Sequence, residues 1–271
     1  MKLDQFLYEH PVFTYRDFKK WKAKPRRISD LSLHMMLYYY VKKSKLLLLR
    51  RGLYAVIHPG FTSKTLKVDS YLIAAKASDD SVLGYHTALE LHGVTYSSFE
   101  QFTFLTQQKI KPFEIANQRY QPVSFPSILI KNKKNLFGTE IINRQGLDIK
   151  ITNISRTFVD VLDRIDLSGG LEEVCRSIEN IVILNIDMVI KYCLMLENAR
   201  LAAKVGFFLE RRKGVFAVTD KQLKALLAVK PCSPQYLSIN LRNDCQYVKK
   251  WNLMIPKQLL NKTWEEPNVK F

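Results

Sequence analysis

The chain has 271 residues, of which 47% are apolar and only 10 are Gly and 10 Pro, a composition that predicts a folded protein and excludes a disordered one. It carries 42 Lys+Arg against 25 Asp+Glu, and the formal net charge of +17 indicates a polyanionic partner. The excess is concentrated near the N-terminus, because residues 1–60 hold 13 Lys+Arg against 4 Asp+Glu.

Three helices are expected before residue 45. The first covers about Leu3 to Glu9 and stops before His10-Pro11, since the residue before a proline is driven out of the helical conformation. Thr14 can cap the second helix, and the third begins near Ser29 or Ser32. The residues at helical spacing that predict the buried sides of the second and third helices are Tyr15, Phe18, Trp21, Leu33, Met36, Leu37, Tyr40 and Val41.

A β-hairpin is expected directly after the third helix, because two apolar runs are joined through Arg50-Arg51-Gly52. Three helices followed by a hairpin is the order of a winged helix, in which the third helix enters the major groove and the hairpin approaches the DNA backbone. We therefore predict that residues 1–62 form a winged-helix DNA-binding domain. The predicted phosphate contacts are Lys42, Lys43, Arg50 and Arg51, and the predicted base readers are Ser32, His34 and Tyr38.

The chain after Pro59-Gly60 predicts a second, larger domain over residues 63–271. Helices are expected at about Asp69–Ala77 and at Tyr85–His92, the latter closed by Gly93. From Ser155 onward the pattern is helical, before loop and short strand at the C-terminus. Strands are expected at Phe102–Thr106, Phe113–Ala116, Ile128–Lys131, Thr139–Ile142 and Asp148–Ile151. The whole chain is thus predicted to be α+β: an N-terminal winged helix-turn-helix followed by a mixed α/β domain with a helical C-terminal half.

Four strings of residues, in this order, resemble the AbiEi family of abortive-infection antitoxins. The string 50–55 (RRGLYA) is similar to the wing of that family's winged helix. The strings 85–93 (YHTALELHG), 154–160 (ISRTFVD) and 204–210 (KVGFFLE) resemble its C-terminal domain. Ser155 stands where the family often has an acid, so Arg156 is expected to pair instead with Asp160 one helical turn later, in a modest surface ion pair.

The resemblance implies a transcriptional autorepressor that is also the antitoxin of a type IV toxin–antitoxin pair. It implies two partners: double-stranded DNA, at an inverted-repeat operator in the pair's own promoter, and a nucleotidyltransferase-like toxin or that toxin's target. Charge and periodicity by themselves indicate nucleic-acid binding only. A regulator without a toxin partner, and a protein-interaction module whose basicity is incidental, are the open alternatives.

An enzymatic alternative is a metal-dependent nuclease. Asp148-Ile149-Lys150 is similar to the acid-x-lysine ending of such a nuclease core, which requires a further carboxylate at the metal, and Glu140 is the nearby acid. The chain has no GxxxxGK[ST] or GxGxxG string for binding nucleotides. We therefore predict a binding protein without enzymatic activity or cofactor.

Cysteine and histidine spacing predicts no metal site. The 4 cysteines contain no CxxC pair, and the 5 histidines have no HExxH or similar ligand spacing. The first nine residues carry acids where a signal peptide needs an apolar run, and no stretch reaches membrane-spanning length. We expect a cytoplasmic protein with no membrane partner.

Overall fold

The computed structural model describes residues 3–22, 28–238 and 243–261. These residues form twelve α-helices and three β-sheets, which confirms the α+β class. Within those ranges, no helix combines the length and the apolar character needed to cross a membrane.

The N-terminal region, residues 3–57, packs three helices against a three-stranded antiparallel sheet. Thr14 caps the second helix as predicted: its hydroxyl accepts a hydrogen bond from the Asp17 backbone at 3.1 Å, and its backbone N–H donates to the Asp17 carboxylate at 3.0 Å. The sheet has the order β1-β3-β2, and its short first strand was not predicted. The elements are α1 (Leu3–Glu9), β1 (Val12–Thr14), α2 (Tyr15–Lys22), α3 (Asp30–Lys42), β2 (Leu46–Arg50) and β3 (Leu53–Val56).

Strand β3 is buried on both faces. Tyr54 and Val56 belong to the hydrophobic cluster of the N-terminal region. Leu53 and Ala55 belong to a cluster that includes Leu72 from the C-terminal region. Because side chains alternate across a strand, the small sheet separates two hydrophobic clusters and packs against both. The domain boundary near residue 62 stays a prediction.

A six-stranded mixed sheet forms the first half of the C-terminal region, residues 70–261. Its strand order is β6-β7-β5-β4-β9-β8, with parallel pairs β5/β7 and β4/β9. The predicted strands that correspond to β5, β6, β8 and β9 are confirmed. The elements are α4 (Ser70–Ala75), β4 (Val82–Leu83), α5 (Tyr85–Leu91), β5 (Gln101–Thr106), β6 (Phe113–Ile115), β7 (Gln118–Ser124), α6 (Ser127–Lys131), β8 (Thr139–Arg144) and β9 (Leu147–Thr152).

The predicted strand at 128–131 is wrong, because these residues belong to helix α6. Pro126 occupies the N-cap position, Leu129 is buried and Ile130 is 38% exposed. A short apolar run does not distinguish one helical turn from a strand by its periodicity alone. The strand that completes the sheet is instead β7, a mostly polar segment with Pro122 in its interior, which gave no strand signal.

Helices dominate the rest of the described residues, as predicted, and contribute most of the largest hydrophobic cluster. A small sheet of order β10-β12-β11 follows them. The elements are α7 (Ile154–Asp163), a 3₁₀ turn (Ile165–Ser168), α8 (Leu171–Glu179), α9 (Ile186–Met195), α10 (Ala199–Arg211), α11 (Asp220–Leu227), β10 (Gln235–Tyr236), β11 (Cys245–Val248), β12 (Leu253–Pro256) and α12 (Lys257–Asn261).

The expected pair between Arg156 and Asp160 forms, with Nε 3.2 Å from Oδ2, but its expected surface position is wrong. The Arg156 side chain is fully buried, because this side of α7 packs beneath the turn that follows α6. Its Nη1 donates to the backbone carbonyls of Asn135 and Phe137 at 2.8 and 2.7 Å. The Tyr192 hydroxyl donates to Asp160 at 2.6 Å. Arg156 therefore holds a turn in place from inside the core.

The strings 85–93, 154–160 and 204–210 each place a titratable side chain in the core. His86 Nε2 lies 3.2 Å from a Glu173 carboxylate oxygen. Arg156 has the partners just described, and Lys204 Nζ donates to the Leu162 carbonyl at 3.0 Å. Burial lowers the pKa of Lys204 to about 8. These three strings thus contribute buried titratable side chains to the core of the C-terminal region.

Candidate nucleic-acid interface

Helix α3 begins at a cap supplied by its own sequence. Ser29, the N-cap residue, accepts a hydrogen bond from the Ser32 backbone at 3.1 Å, and the two hydroxyl oxygens lie 2.9 Å apart. Asp30 in the first turn and Lys42 in the last both complement the helix dipole. The Ser32 hydroxyl, a predicted base reader, is therefore engaged by the cap.

The inner side of α3 is the predicted one. Leu33 and Leu37 are 1% and 0% exposed and pack with Phe6 and Phe18 in the N-terminal cluster. Met36, Tyr40 and Val41 pack against the same cluster and are partly buried. The burial fixes which side of the helix faces outward.

The side of α3 opposite Leu33 and Leu37 is an exposed stripe at helical spacing. Leu31, Met35 and Tyr38 are 73%, 59% and 57% exposed, and Lys42 follows one turn later. We call these four residues the outer face of α3. Leu31 and Met35 are not among the predicted base readers, although their spacing of four from each other and their placement opposite the buried leucines are visible in the sequence.

His34 lies beside the outer face rather than on it. Its ring stacks on Tyr15 of α2, with centroids 4.3 Å apart and planes 3° from parallel. The Tyr15 hydroxyl donates to Asp30 at 3.0 Å, and Lys19 Nζ lies 2.6 Å from the same carboxylate. The hydrogen bond from Lys19 lowers the pKa of Asp30. The acid in the first turn of α3 is therefore paired with a cation.

Two lysines stand at the C-terminal end of α3. Lys42 Nζ lies 5.4 Å from the Tyr38 ring centroid, and Lys43 Nζ lies 5.8 Å from that of Tyr39. All four side chains are exposed. The end of the helix thus presents aromatic rings and positive charge together, an arrangement suited to a phosphate backbone with bases beside it.

The two arginines at the tip of the β2–β3 hairpin have different surroundings. Arg50 is partly buried, and its guanidinium carbon lies 4.2 Å from the ring centroid of Phe113 in β6. Burial lowers its pKa, and its Nη1 is buried without a hydrogen-bond partner among the residues that the structure describes. Arg51 is exposed and precedes Gly52, whose φ of 79° makes the turn. Of the two, Arg51 is the cation accessible to an anion.

Beside this hairpin, ion pairs join the N-terminal region to the C-terminal region. Arg16 pairs with Asp79, and Lys76 Nζ lies 3.1 Å from the Asp17 carboxylate. Burial alone would raise the pKa of the Asp17 carboxyl, but the hydrogen bonds from Thr14 and the charge of Lys76 lower it. Together with Arg50 on Phe113, these pairs join the hairpin and α2 to the C-terminal region.

The residues of the nuclease interpretation do not converge. Asp148 and Lys150 are exposed on one face of β9, and Asp148 accepts a hydrogen bond from Asn143 at 2.9 Å. Glu140 pairs in register with Ile151, so its side chain lies on the opposite face of the sheet. In the ranges described, no group of three or more His, Cys, Asp or Glu residues could hold a metal ion.

Comparison with known proteins gives a fold relationship. No protein-family model and no curated protein matches the chain. The structure is similar to the crystal structure of the Rv2827c protein from Mycobacterium tuberculosis, with a TM-score of 0.60 and 13% identity over 97% of this chain and 93% of that chain. At this identity the likeness concerns the fold, and it extends over both regions of the molecule.

Proposed function

We propose that the protein is a sequence-specific DNA-binding transcriptional regulator whose N-terminal region is a winged helix, with α3 as the recognition helix. One observation carries this proposal. The inner side of α3 is fixed in the core, and its outer face is exposed and ends in Lys42. The order of three helices and a hairpin supports the same assignment. The protein acts in the cytoplasm by binding, without a cofactor and without catalysis.

In this proposal Lys42, Lys43 and Arg51 neutralise phosphates, and Tyr38 is the predicted base reader that lies on the outer face. Ser32 and His34 flank that face, and their side chains already contact Ser29 and Tyr15. Both therefore support α3. A contact from the Ser32 hydroxyl to DNA would compete with its contact to Ser29, whereas the stacking engages the face of the His34 ring and not its nitrogens. Arg50 contributes by holding the hairpin against Phe113 rather than by a free charge.

The proposal includes the antitoxin function that the resemblance implies. The protein would repress the promoter of its own toxin–antitoxin pair at an inverted repeat, and oppose a nucleotidyltransferase-like toxin directly or through its target. The three C-terminal strings support this assignment because they lie on α5, α7 and α10, and Leu89, Phe158 and Val205 of these helices belong to one hydrophobic cluster. Their side chains are largely buried, so the antitoxin function falls to the exposed surface that this framework supports.

The DNA-binding proposal is tested by the salt dependence of affinity. Each phosphate contact contributes about −0.9 to the slope of log K against log salt concentration, because counterions are released. The double variant Lys42→Ala/Lys43→Ala should flatten the slope by about two units on any duplex. Lys224→Ala, an exposed lysine on α11, is the matched control and should leave the slope unchanged. Equal slopes for the double variant and the wild type would refute the placement of α3.

The antitoxin proposal predicts that a neighbouring gene encodes a nucleotidyltransferase-like toxin, and co-expression with that toxin tests it. Lys42→Ala/Lys43→Ala should lose repression of a promoter reporter but protect cells from the toxin when supplied from an independent promoter. Loss of protection at equal protein level would show that the two functions are not divided between the two regions. Failure of the wild type to protect would remove the antitoxin function and leave the regulator.

A further inference from the structure

We propose that the outer face of α3 reads thymine methyl groups in the major groove, with Met35 as the central specificity-determining residue and Leu31 beside it. This inference rests on the proposed function and deepens it, since it assigns the chemistry that the recognition helix reads. The ligand is double-stranded DNA whose half-site places at least one thymine under the first two turns of α3.

The geometry of the outer face supports this assignment. Leu31 and Met35 lie one turn apart on the side of α3 opposite the core and are 73% and 59% exposed. Neither is needed to fill the N-terminal cluster, which is completed by Leu33 and Leu37 on the other side. Two large apolar side chains held outward on a well-capped helix form a small apolar contact surface.

The polar side chains beside these residues make contacts within the N-terminal region, away from the outer face. The Ser32 hydroxyl lies 2.9 Å from the Ser29 hydroxyl, and the His34 ring is stacked on Tyr15. The first two turns of the outer face therefore offer the groove apolar atoms, and polar groups follow only at Tyr38 and Lys42. Bidentate hydrogen bonding to guanine or adenine, the commonest means of direct readout, is not available to leucine or methionine.

The thymine C5-methyl group is the apolar feature of the major groove, where the other base edges present donors and acceptors. An apolar side chain placed against those polar edges removes their water without replacing the hydrogen bonds, which is unfavourable. Against a thymine methyl the same side chain gains from burial. The flexible thioether of Met35 can follow the position of the methyl as the helix settles in the groove.

The charge around the outer face argues for DNA rather than a protein as its occupant. Lys42 and Lys43 follow directly in the chain, Arg51 is exposed on the neighbouring hairpin, and Asp30 is paired with Lys19. An apolar patch bordered by exposed cations matches a groove flanked by phosphates. A second copy of this chain would instead bring the same cations together.

The experiment compares thymine with uracil, which lacks only the C5-methyl group and keeps every hydrogen-bonding atom. A preferred duplex is first selected from a random library with the full-length protein, and each thymine is then replaced singly by uracil. At one or more positions the wild type should bind the uracil duplex about fourfold more weakly, the effect expected for one buried methyl-sized group. Met35→Ala should bind the thymine and uracil duplexes equally at that position.

Two variants serve as controls. Ile183→Ala removes an apolar side chain that is 83% exposed elsewhere and should retain the thymine preference. Lys42→Ala should weaken binding to both duplexes by the same factor. Circular dichroism and thermal unfolding should show that Met35→Ala is folded, as expected for a surface substitution.

The outcomes distinguish this inference from the proposed function. If selected duplexes bind but uracil has no effect at any position, the methyl readout is wrong and the DNA-binding function stands. If Met35→Ala weakens thymine and uracil duplexes equally, Met35 is not the reader. If Met35→Ala changes the oligomeric state while DNA affinity is unchanged, the outer face is a protein interface. Absence of any selected duplex for the wild type would overturn both proposals.

Discussion

The guanidinium group of Arg50 lies over the ring of Phe113, and this contact joins the tip of the β2–β3 hairpin to the edge strand of the six-stranded sheet. The next residue, Arg51, has an exposed side chain. Two consecutive arginines of the same sequence motif are thereby given different tasks. One positions the hairpin, and the other is available to an anion.

The two arginines should respond differently to substitution. Arg50→Ala should lower the free energy of unfolding by about 1–2 kcal/mol, since it loses a cation–π contact and the packing of its aliphatic stem. It should leave the salt dependence of DNA binding nearly unchanged. Arg51→Ala should leave stability within about 0.5 kcal/mol and flatten the salt slope by about one unit. Chemical denaturation and binding titrations check both, and the reverse assignment of effects would contradict the separation.

Gly206 in α10 is required by the close approach of Trp251. A β-carbon at position 206 would overlap the six-membered ring of Trp251, which is fully buried and donates from its indole N–H to Glu210 at 2.7 Å. Gly206→Ala should therefore destabilise the protein by about 3 kcal/mol, because the indole must move out of its site. Gly214→Ala is the matched control, since a β-carbon there meets nothing within 4 Å. Similar unfolding midpoints for the two variants would show that Trp251 has room to shift.

Lys204 should make stability depend on pH in the alkaline range. Its pKa is lowered by burial to about 8 in the folded protein, from 10.5 as its ordinary value. Between these values the unfolded chain binds more protons than the folded one, so the free energy of unfolding rises with pH. Relative to Lys204→Met, the wild type should gain about 1 kcal/mol between pH 7 and pH 9. Urea titrations at the two pH values measure this difference. A constant difference between wild type and variant would mean that the buried ammonium has its ordinary affinity for protons.

Substitution in the buried pair of Arg156 and Asp160 should lower the free energy of unfolding more than substitution in an exposed pair. Arg156→Met leaves the Asp160 carboxylate buried without its cation and frees the carbonyls that Arg156 now binds, and should cost about 3–5 kcal/mol. Glu172→Gln disrupts a pair of the same spacing with Arg176, in which the Glu172 carboxylate is exposed, and should cost less than about 0.5 kcal/mol. Denaturant unfolding of both variants provides the comparison. Equal losses of unfolding free energy in the two variants would indicate that water reaches Arg156.

The sequence predicts those features of the fold that depend on residues close together in the chain. The inner side of α3, the cap at Thr14 and the strands β8 and β9 follow from periodicity and turn chemistry within about ten residues. The positions of the candidate site residues depend on more distant partners. Arg50 meets Phe113, and His34 meets Tyr15, only after the chain has folded. The strand β7 is likewise defined by its parallel pairing with β5 and not by its own composition.

Strand β3 has a consequence for how the molecule unfolds. Tyr54 and Val56 contribute to one hydrophobic cluster while Leu53 and Ala55 contribute to the other, so the same backbone segment belongs to both. Releasing either cluster exposes one face of this strand, and a shift of one residue in its pairing would exchange the two sets of side chains. Neither cluster can be lost without weakening the other. Thermal denaturation should therefore show a single cooperative transition, in which α3 and its supporting sheet unfold together with the rest of the chain.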